Sequence, residues 1–271
     1  MQCKICNSES NKLLIGTLLN NYEVQYYQCN SCKFIQTEEP YWLEEAYNEP
    51  IPDVDVGYVT RNIYYGERVA GIIRKYFNAE GKFIDYGGGY GMFARLMRDM
   101  GLEFYRQDSY CENFFAAHFD ITNLPEETKY ELLTAFEVFE HLVNPMKEIE
   151  DMFEYSDSIL FSTNLQPNHP LSKTDDWWYF SVEKGQHVAL FHLETLNFIK
   201  DHFNCHLYTN GETFHLLSKK KLNGNPIKYA LKKYGLIDRV FKRNFYSKGS
   251  LIQKDFEFVK QIHLKQGKTT V

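Results

Sequence analysis

The chain has 271 residues, 44% hydrophobic and 16% aromatic, with 30 Lys/Arg, 36 Asp/Glu and a formal net charge of −6. That content supports one sizeable α/β core with a small accessory unit. It excludes a membrane-spanning helix, since no apolar run is long enough, and no low-complexity segment or internal repeat is visible.

The N-terminus opens on Cys3 and Cys6, in Cys-Lys-Ile-Cys, and continues to Cys29 and Cys32, in Cys-Asn-Ser-Cys. Between them, Lys12 to Leu19 and Tyr22 to Gln28 read as strands with a turn at Asn20-Asn21. Two Cys-x-x-Cys knuckles on a hairpin suit a tetrahedral zinc site, so residues 1–36 are expected to be a zinc ribbon. Two disulfides or a redox pair are the other readings. The N-terminus carries no basic and apolar targeting region, which disfavours disulfides and gives an expectation of a cytoplasmic protein. Lys4, Lys12 and Lys33 form no basic cluster, so the ribbon reads as a lid or docking unit rather than a nucleic-acid reader. Residues 37–58, with Pro40, Pro50, Pro52 and several acids, read as a linker, and Arg61 to Tyr76 as a helix leading into a sheet.

Next comes Phe83-Ile84-Asp85-Tyr86-Gly87-Gly88-Gly89-Tyr90-Gly91, followed by the amphipathic Met92–Met97. This is a strand, a glycine turn and a helix N-terminus, which lets a ligand approach the main chain closely. The dinucleotide fingerprint fails, because Met92 stands where its third glycine belongs. The pattern Asp-x-Gly-x-Gly-x-Gly resembles motif I of the class I S-adenosylmethionine (SAM) methyltransferases. The resemblance covers about residues 60–220. It implies a Rossmann-like, seven-stranded, mostly parallel sheet flanked by helices over residues 59–220. It also implies SAM contacts at Asp85, Tyr86, Gly87, Gly89 and Gly91, with weaker candidates at Tyr58, Arg61 and Asn62.

Leu102 to Asp108 reads as the second strand. Asp108 is placed to accept the ribose hydroxyls, because a carboxylate can take both hydroxyls of a vicinal diol. Asp120, after Phe119, matches the acid that meets adenine at the end of a third strand. Tyr130 to Phe136 is the fourth strand. It runs into Glu137-Val138-Phe139-Glu140-His141-Leu142-Val143-Asn144-Pro145, which resembles the Glu-x-x-Glu-His…Pro signature of small-molecule and sugar methyltransferases. Glu137 is thereby a further SAM contact. Ser158 to Asn164, Cys205 to Asn210 and Phe214 to Ser218 complete the expected sheet, the last two antiparallel.

Between the fifth and sixth strands lies Asp175–His192, with Trp177, Trp178 and Tyr179. Adjacent tryptophans point different ways, and aromatic faces make shelves for sugar rings, so these three are candidate substrate contacts. The stretch resembles methyltransferases found with glycosyltransferases in bacterial surface-polysaccharide pathways. The resemblance implies a hydroxyl of a sugar or sugar-derived compound as acceptor. His141 and His187 are candidate general bases, with Glu140 and His192 behind them. Glu137, Glu140 and His141 have the spacing of one helical face. With His187 they resemble the divalent-metal site of small-RNA terminal 2′-O-methyltransferases and ubiquinone-pathway O-methyltransferases, which would bring an ion such as magnesium. An RNA methyltransferase, a sugar C-methyltransferase and a non-enzymatic SAM-binding scaffold are the rival functions, with nucleic acid the disfavoured partner.

Residues 219–271 hold 14 Lys/Arg against 3 Asp/Glu, whereas residues 1–218 hold 16 against 33. The segment 221–271 reads as a basic helical extension, with Tyr229, Leu231, Tyr234, Leu236, Val240 and Phe241 among lysines. A helix docked on the acidic body is the favoured reading. An anionic membrane surface, a phosphate-bearing substrate carrier or RNA are the alternatives.

Overall fold

The structure, a computed structural model, describes residues 1–48, 56–231 and 249–265. Its centre is a six-stranded mixed sheet of β4 (Lys82–Tyr86), β5 (Glu103–Gln107), β6 (Leu132–Ala135), β7 (Ser158–Ser162), β9 (His206–Thr209) and β10 (Phe214–Ser218), in the order β5-β4-β6-β7-β10-β9. The β4–β5, β4–β6 and β6–β7 pairs are parallel, and β10 runs antiparallel to β7 and β9. Every residue of β6, β7 and β10 is buried, as expected of strands covered on both faces.

Helices α2 (Tyr58–Tyr76), α3 (Met92–Asp99) and α6 (Pro226–Ala230) pack one face of the sheet through Val69, Ile73, Phe93, Met97 and Ile227. The opposite face is covered by α4 (Pro145–Tyr155) and α5 (Leu193–His202) through Ile149, Met152, Leu196 and Ile199.

Among the described residues the central sheet has six strands where seven were expected. The segment after Phe119 makes a single bridge, Arg106 to Asp120, and then turns through Ile121–Asn123. The Asn123 side chain accepts the Asp120 N–H at 3.0 Å, so a local turn takes the donor that a strand would have used.

A second sheet begins at the N-terminus with β1 (Ser10–Leu18), β2 (Tyr22–Cys29) and β3 (Ile35–Thr37). Its hairpin turn centres on Leu19 and Asn20, both at positive φ, one residue earlier than the asparagine pair suggests. The backbone N–H of Leu19 donates to Val182 O at 2.9 Å, so tertiary contact sets the turn. The fourth strand of this sheet is β8 (Ala189–Leu190), which pairs antiparallel with β3. Cys3, Ile5, Cys29, Cys32 and Phe34 lie in the same buried cluster as Phe161, Phe191 and Leu196 of the central body. The N-terminal unit therefore shares a core and a sheet with the larger domain. The short α1 (Leu43–Ala46) follows it.

The final described element is α7 (Ile252–Lys265). Its Asp255 carboxylate is buried against Arg98, which donates from Nε at 2.9 Å and from Nη2 at 2.7 Å, and Arg95 Nη1 lies 2.9 Å from the same group. The innermost charged contact thus runs from an acid of the extension to arginines of the body. The basic-on-acidic pairing anticipated from composition is represented by Lys254 to Glu103 at 3.0 Å, near the surface. The Tyr234–Phe241 stretch lies outside the described residues.

Candidate active site

The C-terminal ends of β4, β5 and β6 open onto a cavity of about 530 Å³. Its floor is the turn after β4. Gly87, Gly89 and Gly91 all have positive φ, a conformation that side chains resist. At Gly87 a Cβ would also meet Val138 Cγ2 at 2.6 Å, and at Gly88 it would meet Asp85 Oδ2 at 2.5 Å. The turn is therefore as close to its neighbours as backbone allows.

Asp85 is fully buried beneath it. Its Oδ1 accepts the Thr134 hydroxyl at 2.9 Å, while Oδ2 accepts no hydrogen bond. Burial pushes this carboxyl up to about 7, against the pull of the Thr134 bond. Asp108, just past β5, accepts from the backbone N–H of Gly89 at 2.9 Å, Tyr110 at 2.8 Å and Cys111 at 2.7 Å. This carboxylate ties the glycine turn to the following loop and retains acceptor capacity toward the cavity it lines.

Asp85, Tyr86, Gly87, Gly89, Asp108 and Glu137 come together around the cavity, with Tyr58, Arg61, Asn62 and Tyr65 of α2 along one wall. Asp120 is placed differently: its Oδ1 pairs with the buried Arg106 Nε at 3.5 Å. Gly91 supplies the left-handed residue at the N-terminus of α3.

Glu137 also sits at positive φ, which a non-glycine residue adopts only when its surroundings hold it there. Its backbone N–H donates to Ser162 Oγ at 2.8 Å, and that hydroxyl donates to Glu137 Oε1 at 2.7 Å. Tyr65 and Arg61 approach the same carboxylate at 3.4 and 3.9 Å. No helical face links Glu137 to Glu140 and His141, because residues Phe139–His141 form a short 3-10 turn. The left-handed step at Glu137 sends its carboxylate to Ser162, and Glu140 and His141 meet His187 instead. One ligand atom from each of these three lies within 4.8 Å of the others.

This cluster is the most unusual part of the cavity. Glu140 is 0% exposed, and neither carboxylate oxygen accepts a well-formed hydrogen bond, although the Tyr179 and Thr163 hydroxyls face it. Burial, reinforced by the Glu137 charge, raises its pKa to about 8. His187 Nδ1 lies 2.7 Å from the Tyr179 carbonyl oxygen, which can only accept, so Nδ1 carries the proton and Nε2 keeps its lone pair. Burial lowers His187 to about 4 and His141 well below its ordinary value, and both imidazoles are neutral at pH 7.

The aromatic segment divides. Trp177 is buried in the small core with Tyr26 and Phe180, whereas Trp178 is 75% exposed and lines the cavity with the buried Tyr179. His192 faces elsewhere and caps α5 by accepting the Glu194 N–H.

Several lining residues have no counterpart among the sequence candidates, Tyr47, Tyr65 and Lys184 among them. Tyr47 comes from the expected linker, Tyr65 from the helix wall, and Lys184 from the loop before His187. None carries a local signature; only the tertiary fold brings them to the site.

A glycine turn at the carboxyl ends of the parallel strands, flanked by acids at the ends of β4 and β5, defines a cofactor-binding site of an open α/β sheet. Residues 62–209 match the family described as "Methyltransferase domain", more than half of the chain, and the chain belongs to that family. It is a SAM-dependent methyltransferase. No curated protein matches the chain. Among solved structures, it is similar to the plantazolicin methyltransferase BpumL in complex with SAH, at 12% identity and TM-score 0.44, over 67% of this chain and 95% of that one. It is similar to the mitomycin 7-O-methyltransferase MmcR at 11% identity and TM-score 0.41, over 66% of this chain and 60% of that one. An O-methyltransferase family protein from Burkholderia thailandensis aligns at 9% identity and TM-score 0.45, over 71% and 66% of the two chains.

The site fits SAM. Asp85 to Gly89 would cradle its amino-acid end, Asp108 would take the ribose, and Glu137 would border the methyl-bearing region. The N-terminal thiols fit zinc equally well. Cys3 and Cys32 Sγ lie 3.6 Å apart and Cys6 and Cys29 Sγ 3.4 Å, close to the edge of about 3.8 Å for a tetrahedron with zinc–sulfur bonds of about 2.3 Å. The N–H groups of Ile5, Ser31 and Cys32 point at these sulfurs, as metal knuckles require.

Proposed function

We infer that the chain methylates a hydroxyl of a sugar or sugar-derived acceptor, with His187 as the base. The observation that supports this most directly is the bond from His187 Nδ1 to the Tyr179 carbonyl, which leaves Nε2 unprotonated at the cavity. SAM supplies an electrophilic methyl group on a sulfonium. The acceptor oxygen forms the new bond to that carbon, the carbon–sulfur bond breaks, and the acceptor proton passes to His187. Catalysis then rests on alignment and one positioned base. Trp178 offers an exposed aromatic face for a sugar ring at the same mouth. Zinc held by Cys3, Cys6, Cys29 and Cys32 would be structural, because four thiolates leave no open position.

A second reading is favoured by the buried Glu140, whose carboxylate oxygens accept no well-formed hydrogen bond among the described residues. With His141 and His187 it forms a donor set suited to a divalent ion: one carboxylate and two neutral imidazoles within 4.8 Å. A hydroxyl bound to such an ion would lose its proton more readily.

Transfer of tritiated methyl from SAM into a panel of nucleotide sugars, oligosaccharides and RNA tests both readings. Label in a saccharide oxygen, lost in His187→Ala with SAM affinity retained, supports the base. Loss on chelation and recovery with magnesium or manganese, in wild type but not Glu140→Ala, supports the metal. Label in RNA, or at carbon, overturns the acceptor assignment.

A further inference from the structure

Lys184 is a cation on the acceptor side of the cavity that the methyl transfer does not use. It lines the cavity with His141, His187, Ser181 and Gln186, and it is half-buried. Its charge reaches both imidazoles and helps keep them neutral. Among the described residues, no carboxylate lies within ion-pair distance of its ammonium group. Arg61, the other cation of the lining, is turned to Glu137 at the SAM side.

The loop that carries Lys184 is anchored at several points. Its backbone turns at Ser181, in a left-handed conformation, and the N–H groups of Lys184 and Gly185 both return to Ser181 O at 3.1 Å. Trp42 Nε1 donates to Gly185 O at 2.7 Å, and Gln186 Nε2 donates to Ala46 O at 2.8 Å. Gly185 is at φ +64°, where a Cβ would press on Leu19 at 3.1 Å. Residues on both sides of Lys184 are thus fixed against the N-terminal unit. Among the described residues the ammonium has no carboxylate partner, and an anion arriving with the acceptor would give it one through a charge-assisted hydrogen bond.

We propose that Lys184 forms an oxyanion subsite of the acceptor pocket, so that the acceptor carries a phosphate or carboxylate group beside the sugar hydroxyl that is methylated. This rests on the reading of the site as an acceptor pocket. A phosphorylated or nucleotide-linked sugar and a uronic acid share the chemistry that Lys184 recognises: a compact negative charge in the cavity that Trp178 also lines. A neutral glycoside lacks it.

The test uses the full-length protein, with calorimetric titration of pyrophosphate, glucuronate and glucose in turn. Binding of pyrophosphate, glucuronate or both, weakened roughly ten- to a hundredfold in Lys184→Gln and largely kept in Lys184→Arg, supports the subsite. Pyrophosphate alone points to a phosphorylated acceptor, and glucuronate alone to an acidic sugar. Oxyanion binding equal in wild type and Lys184→Gln, or no oxyanion binding at all, overturns it. So does equal methylation of neutral and anionic acceptors by both proteins. SAM titration of the same samples separates the outcomes. Loss of SAM binding in wild type would undermine the methyltransferase site itself, whereas intact SAM binding without an oxyanion site refutes only this subsite.

Discussion

The Tyr47 phenol meets His141 Nδ1 at 3.1 Å, linking the segment after the N-terminal sheet to the turn after β6, 94 residues later. Tyr47 also stacks on Tyr110, with centroids 4.7 Å apart and an 11° interplanar angle, so it joins the loop after Asp108 to the acceptor side. Burial raises its pKa, and the phenol stays protonated. Tyr47→Phe keeps the stack and removes only the contact to the imidazole. It is expected to lower kcat about five- to tenfold, the worth of one hydrogen bond, while SAM affinity and Tm stay near wild type. Equal kcat in the two proteins would remove Tyr47 from the positioning of His141.

The four thiols should hold one zinc ion. Elemental analysis of the purified protein is expected to give near-stoichiometric zinc, and Cys29→Ser with Cys32→Ser should abolish it. Because β3 pairs with β8 directly after His187, hydrogen exchange should quicken at Ala189 and Leu190 as well as in β1 to β3. Wild-type protein with four free thiols and no metal would rule the site out.

Asp108→Ala should act on both cofactor and stability. Three backbone N–H groups lose their acceptor. The Gly89 turn is expected to loosen, with SAM affinity down about tenfold or more and a stability loss of about 1–3 kcal/mol. Calorimetry and denaturant melts measure the two. Unchanged SAM affinity would detach Asp108 from the cofactor.

The Arg98–Asp255 pair holds α7 on the body, with side chains 3% and 6% exposed. Asp255→Ala leaves Arg98 buried without its carboxylate, which is expected to cost about 3–5 kcal/mol. A stability change below about 1 kcal/mol would show that α7 contributes little, since ordinary surface substitutions fall within that range.

Asp85 should make stability depend on pH. Its pKa in the folded chain is raised from 3.8 to about 7. The stabilisation from holding that proton is complete below the unfolded value and is lost as pH rises through the folded one. Between pH 5.5 and 8, wild type should lose about 2 kcal/mol relative to Asp85→Asn, at about 1.4 kcal/mol per pH unit over the part of that interval below pH 7. A pH-independent difference between the two proteins would contradict the buried, protonatable carboxyl.

Much of this protein is written in local pattern. The glycine turn after Asp85, the buried strands and the paired cysteine knuckles each depend on residues within one element or one turn: glycines where φ is positive, apolar runs where both faces are covered, thiols three positions apart for metal. Those features were legible in the sequence because their physics is short-range. The third expected strand is reduced to a single bridge, because one side chain, Asn123, supplies a competing acceptor for the Asp120 N–H and closes a turn there. The acceptor side was legible only as a set of names. His141 and His187 stood out by type, but their meeting with Glu140 depends on the left-handed step at Glu137 and on the Val188 N–H reaching Glu140 O at 2.9 Å. Tyr47 and Lys184 had no local signature at all. They reach the cavity because β3 pairs with β8 and because Trp42 and Gln186 bridge the N-terminal unit to the Lys184 loop, contacts 140 or more residues apart along the chain. Local chemistry determined the cofactor turn and the cysteine cluster, while long-range pairing decided which side chains face the acceptor.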